Sequence, residues 1–350
     1  MKLQKKATIV TLLDTPAFGG AEQYTLDSSV FLNKNGHKII IFTNNDHVKN
    51  RYKEYIKKNK LKNFKVHDLP YLLDAIGDWK GLTKFFLHAP GACLWFYKTL
   101  KNIVETEKKS NRKVVCLLVG FTDRLLFSPI IKKLKAKLIW VDIGPLQPVF
   151  KRNWGFPKLL YHLTKHLPDH FTTTSKFTLS SMIKIGKIKK ENITLVYPGI
   201  KLYSKTQIEK FRKWGQIWRN KNLEKSKTSD KTKTTLIGFV GRMATENEVD
   251  LLIRAFAKTI KIKGTLSGSA MAQASLSSSG IHLLHLVIMG DGPEKKRFQK
   301  LAESLGISNN VTFTGFISTK EKFSILATCD LFVFPRAWDW DGFGITTIEA

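Results

Sequence analysis

The chain has 350 residues, 43% of them hydrophobic, and it carries 58 Lys and Arg against 28 Asp and Glu. This length suffices for two domains, and the apolar fraction is that of an ordinary globular protein. Its three cysteines form no C-x-x-C pair, which excludes the usual signature of a disulfide framework or zinc site. The net charge of +30 favours anionic partners such as phosphates, nucleic acid or an acidic membrane surface.

The first half of the chain alternates short apolar runs with amphipathic segments. The run "ATIVTLLD" (7–14) predicts a strand buried on both faces, and "AEQYTLDSSVFLNKNG" (21–36) predicts a helix. Further strands are expected at "HKIIIFTNN", "RKVVCLLVGF", "AKLIWVDI" and "NITLVYPGI". Strands that alternate with helices predict an α/β fold whose parallel sheet carries helices on both faces.

The segment "GLTKFFLHAPGACLWFYKTLKNIVE" (81–105) differs from its neighbours, because it is rich in Phe, Leu and Trp and is interrupted by Pro90 and Gly91. One interpretation is a pair of core helices. The other is an interfacial segment that faces lipid, since aromatic residues flanked by lysines suit the headgroup region.

A second α/β pattern follows a change in composition. Residues 201–234 are rich in Lys and are expected to form a linker. Strands are then predicted at "TTLIGFVG", "HLLHLVIMG", "NVTFTGF" and "DLFVFP", and helices at "VDLLIRAFAKTI" and "PEKKRFQKLAESLG". The chain is therefore expected to have an N-terminal domain at 1–200 and a C-terminal domain at 235–350, both doubly wound.

Two loops at predicted strand ends could contact an anion. In "AFGGAEQ", Gly19 and Gly20 precede a helix whose N-terminal amides favour negative charge, although glycines are also common in turns. In "FVGRMATENEVD", Arg242 follows a strand at the ligand-binding edge of the second sheet, although a surface arginine in a turn fits equally. The turn "MGDGP" is interpreted as a tight structural connection.

The last stretch, "WDWDGFGITTIEA", holds two acids, Asp341 and Glu349, around a Gly-Phe-Gly turn. A carboxylate accepts hydrogen bonds from adjacent hydroxyls, so a sugar or a ribose is a natural partner. Asp is also common in turns and Glu in helices, so local chemistry leaves both interpretations open.

Six pieces in order carry a resemblance along most of the chain: "GGAE", "YPGI", "GFVGR", "MGDGP", "VTFTGF" and "DGFGITTIEA". Together they resemble the retaining GT-B glycosyltransferases of family 4, also described as glycosyl transferases group 1. The resemblance implies a GT-B fold of two Rossmann-like doubly wound domains facing a cleft, with a nucleotide sugar bound there. It also implies that no metal and no other cofactor is needed.

The resemblance assigns a role to each motif residue. Gly19 and Gly20 are expected to contact the donor diphosphate from the N-terminal domain, and Arg242 from the C-terminal domain. Asp341 matches the first acid of the family's pair, which sits by the donor sugar. Glu349 matches the second, which holds the ribose hydroxyls.

Four further positions complete the expected substrate-binding set, two of them with departures from the family. Phe343 and Gly344 lie on the loop whose backbone faces the sugar and phosphates. Asn247 stands where the family has a phosphate-binding Lys, and Glu248 stands where it has Gly. The family often has a His near the donor sugar at the end of an N-domain strand, and here Asp142 is the nearest polar candidate.

The predicted function is a retaining, metal-independent hexosyltransferase that moves a sugar from a nucleotide sugar to a lipid-linked or cell-envelope glycan. The expected location is cytoplasmic, peripheral at the inner face of the cell membrane, because the positive charge favours an anionic surface. The chain ends at Ala350 within the last predicted helix, so the second domain is expected to be incomplete.

Two alternatives remain. Asn247 and the position of the last residue suggest a catalytically impaired nucleotide-sugar-binding relative or a fragment. Charge alone suggests a nucleic-acid-binding protein, but no helix-turn-helix, zinc or RNP-like pattern supports specific recognition of nucleic acid.

Overall fold

The computed structural model describes residues 6–15, 18–71, 79–151, 155–223, 233–267, 282–335 and 343–350. The chain divides into two compact units. The first comprises Met1–Gly199 with Asp339–Phe343, and the second comprises Ile200–Trp338 with Gly344–Ala350.

The first unit is built on a parallel sheet. Its strands are β1 (Ala7–Leu13), β2 (Lys38–Thr43), β3 (Phe64–Asp68), β4 (Lys113–Leu118), β5 (Lys137–Asp142), β6 (His170–Thr173) and β7 (Ile193–Leu195). Its helices are α1 (Gly20–Lys34), α2 (Asp46–Lys58), α3 (Trp79–Lys109), α4 (Phe121–Lys133), α5 (Gln147–Phe150), α6 (Phe156–Thr164) and α7 (Lys176–Lys184). The described strands lie in the order β3-β2-β1-β4-β5-β6-β7.

Strand β1 lies inside this sheet and is buried along its whole length. Val10 pairs with Ile40 of β2 on one side and with Cys116 of β4 on the other. Successive β1 residues enter different clusters, with Val10 in the core under one face and Ile9 in the core under the other. Because both faces are covered, the sequence of β1 is a continuous apolar run instead of an alternating one.

Helix α3 corrects one expectation for residues 81–105. They belong to one helix that continues through Pro90 to Lys109, and not to a helix pair. Its inner stripe is buried against the sheet at Phe85, Ala89, Ala92, Phe96 and Leu100. None of the helices within the described ranges combines the length and the apolar character needed to cross a membrane.

The second unit has a smaller parallel sheet. Its strands are β8 (Lys233–Val240), β9 (His282–Met289), β10 (Val311–Gly315) and β11 (Leu331–Phe332), in the order β10-β9-β8-β11. Its helices are α8 (Lys205–Leu223), α9 (Val249–Ser267), α10 (Lys295–Ser304), α11 (Thr319–Leu326) and α12 (Ile345–Glu349). Its core contains Phe239, Ile253, Ile288 and Phe298.

Helix α8 occupies residues 205–223 of the segment 201–234 that the sequence predicts as a linker, and residues 224–232 of that segment lie outside the described residues. It packs against α11, with Gly215 at the contact. A Cβ atom on Gly215 would collide with the backbone carbonyl oxygen of Ser324 and with Thr328. The two helices can therefore approach this closely only with glycine at this position.

We expect Gly215→Ala to lower the free energy of unfolding by about 1–3 kcal/mol, because overpacking outweighs the helix propensity gained. Gly91→Ala is the matched control, since a Cβ atom on this glycine of α3 meets no atom within 4 Å. That substitution should stabilise by about 0.5–1 kcal/mol. Chemical denaturation of both variants measures the difference, and equal effects would contradict the contact between α8 and α11.

Candidate functional site

A pocket of about 290 Å³ opens within the first unit at the carboxyl ends of β1, β4 and β5. Apolar side chains form most of its wall, and four ionisable side chains reach it: Asp14, Glu22, Arg124 and Asp142. Ligands of open α/β sheets bind at this edge, where the strand order changes direction. The pocket is therefore the candidate binding site of this unit.

A buried ion pair forms one side of the pocket. Arg124 of α4 donates from Nη1 to Oδ1 of Asp142 at 2.5 Å, and both side chains are almost fully buried. The guanidinium also lies over the ring of Trp140. The other carboxylate oxygen of Asp142, Oδ2, is buried and has no hydrogen-bond partner among the described residues. It is thus an acceptor that a ligand hydroxyl could satisfy.

The second buried acid at this edge is Asp123, at the start of α4. Both of its carboxylate oxygens are buried without a hydrogen-bond partner among the described residues. Burial raises its pKa to about 8, and the nearby Asp14 adds to this rise, while Arg124 opposes it. Asp123 therefore carries a proton at neutral pH for most of the time.

Gly19 precedes α1 and Gly20 is the first residue of this helix, but the amide of Gly19 is already occupied. The N–H of Gly19 donates to Oε2 of Glu22 at 2.7 Å, so a carboxylate caps the helix. A Cβ atom on Gly20 meets no atom within 4 Å. Contact of Gly19 and Gly20 with a diphosphate stays a prediction, and at Gly19 it requires Glu22 to move away.

In the second unit, Arg242 follows β8 on a loop that backbone hydrogen bonds fix in place. Its neighbour Met243 donates to the carbonyl of Asp291, and Glu294 donates back to the carbonyl of Met243. The "MGDGP" turn thus holds the Arg242 loop in place through these hydrogen bonds. The side chain of Arg242 itself is exposed at the carboxyl edge of the sheet.

Asn247 has a structural partner in this loop. It is buried, and its Nδ2 donates to the backbone carbonyl of Arg242 at 2.5 Å. The next residue, Glu248, has a φ of 51°, in the left-handed region. Glycine adopts this conformation without strain, which is a physical reason for the glycine that the resemblance places there.

The C-terminal motif is partly described. Glu349 accepts a hydrogen bond from Lys322 of α11 at 2.7 Å, and both side chains are mostly buried. Gly344 begins α12 with a φ of 69°, and the ring of Phe343 lies 5.7 Å from that of Tyr197. Asp341 lies outside the described residues.

The sequence analysis missed Asp14, Asp123 and Arg124. A usable signal existed, because Asp14 ends a predicted strand, and Asp123 and Arg124 follow one, at the edge where ligands bind. Their pairing depends on β1, β4 and β5 being neighbours, which periodicity does not reveal. Within the described ranges, no group of three or more His, Cys, Asp or Glu side chains is placed to hold a metal ion.

The raised pKa of Asp123 predicts a pH-dependent stability. An unfolded chain releases this proton near pH 3.8, whereas the folded chain retains it up to about pH 8. The contribution of Asp123 is therefore fully present below the lower value and is lost as the pH rises towards the higher one. We expect the melting temperature of Asp123→Asn to fall less than that of the wild type as the pH rises across this window.

The control for this prediction is Asp250→Asn, which lies at the start of α9 in the other unit. It should keep the pH slope of the wild-type chain between these values. Equal slopes for the wild type and Asp123→Asn would show that the buried carboxyl is already ionised in the folded state.

Comparison with known proteins gives one family match. Residues 220–350 match the family "Glycosyl transferases group 1". A GDP-mannose-dependent alpha-(1-6)-phosphatidylinositol monomannoside mannosyltransferase of Mycobacterium tuberculosis is 39% identical over 70 residues, which cover 19% of this chain and 18% of that protein. O-antigen chain mannosyltransferase C of Escherichia coli is 36% identical over 66 residues, again 19% of this chain and 18% of the relative. The chain thus matches less than a fifth of the length of these relatives.

Solved structures resemble the chain over nearly its full length. HepE of Anabaena, in complex with UDP and glucose, superposes with a TM-score of 0.65 at 15% identity, covering 98% of this chain and 78% of that one. Sucrose-phosphate synthase of Thermosynechococcus elongatus gives 0.60 at 14% identity, with 98% and 78% covered. The chain therefore has the GT-B fold of two Rossmann-like domains, and its residues 220–350 carry the match to glycosyl transferases group 1.

Proposed function

We propose that the chain is a glycosyltransferase that moves a hexose from a nucleotide sugar to a hydroxyl of a lipid-linked or cell-envelope glycan. The observation that carries this proposal is the match of residues 220–350 to glycosyl transferases group 1 in a chain with the GT-B fold. A relative whose name specifies GDP-mannose and a phosphatidylinositol mannoside supports the choice of donor and acceptor classes.

The second unit binds the nucleotide sugar in this proposal. Arg242 offers a planar set of donors that matches diphosphate oxygens, on a loop held by Asn247 and Met243. The carboxylate of Glu349 accepts hydrogen bonds from the two ribose hydroxyls, and Lys322 orients it. The resemblance also assigns Asp341 to the donor sugar, and this residue lies outside the described residues.

The pocket of the first unit binds the acceptor. A sugar ring presents hydroxyls at its edge and C–H groups on its faces, which fits an apolar wall with a few polar groups. Asp142 Oδ2 is a buried acceptor at that wall, and Arg124 fixes its orientation. Asp142 then acts by holding an acceptor hydroxyl.

The proposed reaction follows from the chemistry of the leaving group. The bond between the anomeric carbon and the diphosphate oxygen breaks, and the acceptor oxygen forms a bond to the same carbon. The hydroxyl proton passes to the departing diphosphate. Negative charge grows on that diphosphate, so Arg242 is the main catalytic aid. Entry of the hydroxyl on the face that the diphosphate leaves gives retention, without a metal or a protein nucleophile.

We expect Arg242→Ala to lower the rate of transfer by about 10²-fold, as for other donors to a developing oxyanion. It should also reduce the rise in melting temperature that the bound donor causes in a panel of UDP-, GDP- and ADP-sugars. Arg254→Ala is the matched control, because Arg254 is exposed on α9 in the same unit. Equal losses in both variants would remove Arg242 from the donor site.

One observation favours an alternative in which the chain binds a nucleotide sugar without turnover. The family's phosphate-binding Lys is replaced by Asn247, whose amide donates to the carbonyl of Arg242, so the extra cation expected near the phosphates is absent at this position. We expect Asn247→Lys to raise the transfer rate if the chain is an enzyme weakened by this residue. Donor-induced stabilisation without transfer, in both the wild type and Asn247→Lys, would support a binding protein.

A further inference from the structure

The outward face of α3 changes character along the helix. Phe86, Leu87 and Leu94 are exposed, with 77% of the Leu87 surface open to solvent. From Lys98 onwards the exposed positions carry the charged and polar residues usual for a surface helix. Large apolar side chains on the open face of a helix mark an interaction surface when they form a contiguous group.

A second helix extends this group. Leu159 and Leu163, one turn apart on α6, are also more than half exposed. The two helices meet through Phe86 of α3 and Phe156 of α6, whose rings lie 6.1 Å apart. We call the five exposed side chains Phe86, Leu87, Leu94, Leu159 and Leu163 the apolar patch.

The two stretches of sequence that hold the apolar patch lack acidic residues. Residues 79–104 and 143–168, which include all of the patch, contain no Asp or Glu. Lys98, Lys101 and Lys158 are exposed on the same two helices. An apolar group bordered by cations is the arrangement by which a helix lies in the interface of an anionic bilayer.

We propose that the apolar patch is the surface by which this chain docks on an anionic phospholipid bilayer. The leucine and phenylalanine side chains enter the boundary between headgroups and acyl chains, and the lysines contact the lipid phosphates. This inference rests on the lipid-linked acceptor in the proposed function, but not on the proposed transfer reaction.

The positive net charge of the chain favours lipid over a second copy of the chain as the partner of the apolar patch. Each copy carries a net charge of +30, so two copies repel each other, whereas an anionic surface attracts every one of them. Each basic residue near such a surface contributes about 1 kcal/mol, and salt screens this attraction. Insertion of the apolar patch is less sensitive to salt, because it depends on apolar area.

The experiment is flotation of the full chain with phosphatidylcholine vesicles, with and without phosphatidylglycerol. We expect binding to the anionic vesicles that high salt weakens without abolishing. The double variant Leu87→Ser, Leu163→Ser should reduce partitioning by about 10–100-fold, since each inserted leucine contributes roughly a factor of ten. The matched control is Leu251→Ser, Ile262→Ser, whose wild-type side chains are 55% and 51% exposed on α9 of the other unit.

The outcomes separate this proposal from its rivals. Failure of the wild-type chain to bind anionic vesicles, or equal losses in the two double variants, would overturn it. A concentration-dependent dimer that the patch variant abolishes, without vesicle binding, would assign the patch to a second copy instead. Circular dichroism melting of both variants reports whether they remain folded. If vesicle binding persists while no nucleotide sugar raises the melting temperature, the transferase proposal fails and the docking surface stands.

Discussion

Every strand that the structure describes pairs with its neighbours in parallel, so the carboxyl ends of adjacent strands meet at one edge. This constraint decides which residues can act together. In the first unit it brings Asp14, after β1, to Arg124, after β4, and to Asp142, at the end of β5. In the second it brings the Arg242 loop, after β8, against Asp291, after β9. Both candidate sites are consequences of strand order, because their residues are far apart along the chain.

Burial of the ion pair in the first of these sites costs free energy, so stability alone does not account for the pair. Taking Arg124 and Asp142 out of water costs free energy that their attraction only partly returns, and losing one partner of such a pair typically costs about 3–5 kcal/mol. Well-packed apolar side chains would stabilise the sheet edge at least as well. The pair therefore fits the proposed acceptor site, where a ligand hydroxyl would satisfy the second oxygen of Asp142.

The local sequence pattern predicts most of the strands and helices, but it predicts few of the contacts between residues that are distant in the chain. Apolar runs locate the strands, because strands buried on both faces have no polar positions, and the strand–helix alternation gives the parallel α/β class. The Lys-rich composition of α8 suggests a linker. It does not reveal the contact with α11, which requires glycine at Gly215. The sequence places Asn247 near phosphates by resemblance, which stays a prediction, and it does not reveal that the amide of Asn247 donates to the carbonyl of Arg242. Both contacts escape the sequence for one reason: the partner of each residue is set by tertiary structure.

Helix α3 contains a weak point that follows from covalent chemistry alone. Pro90 has no amide hydrogen, so the carbonyl of Phe86 lacks its usual partner one turn later in the backbone ladder. The interruption falls among the apolar outward residues and before the charged ones. Opening of the helix there breaks one bond fewer than elsewhere, so amide exchange with solvent should be faster around this turn than near Leu100. The turns of α3 before Pro90 can thus fray or tilt while the later turns, around Leu100, stay packed on β4.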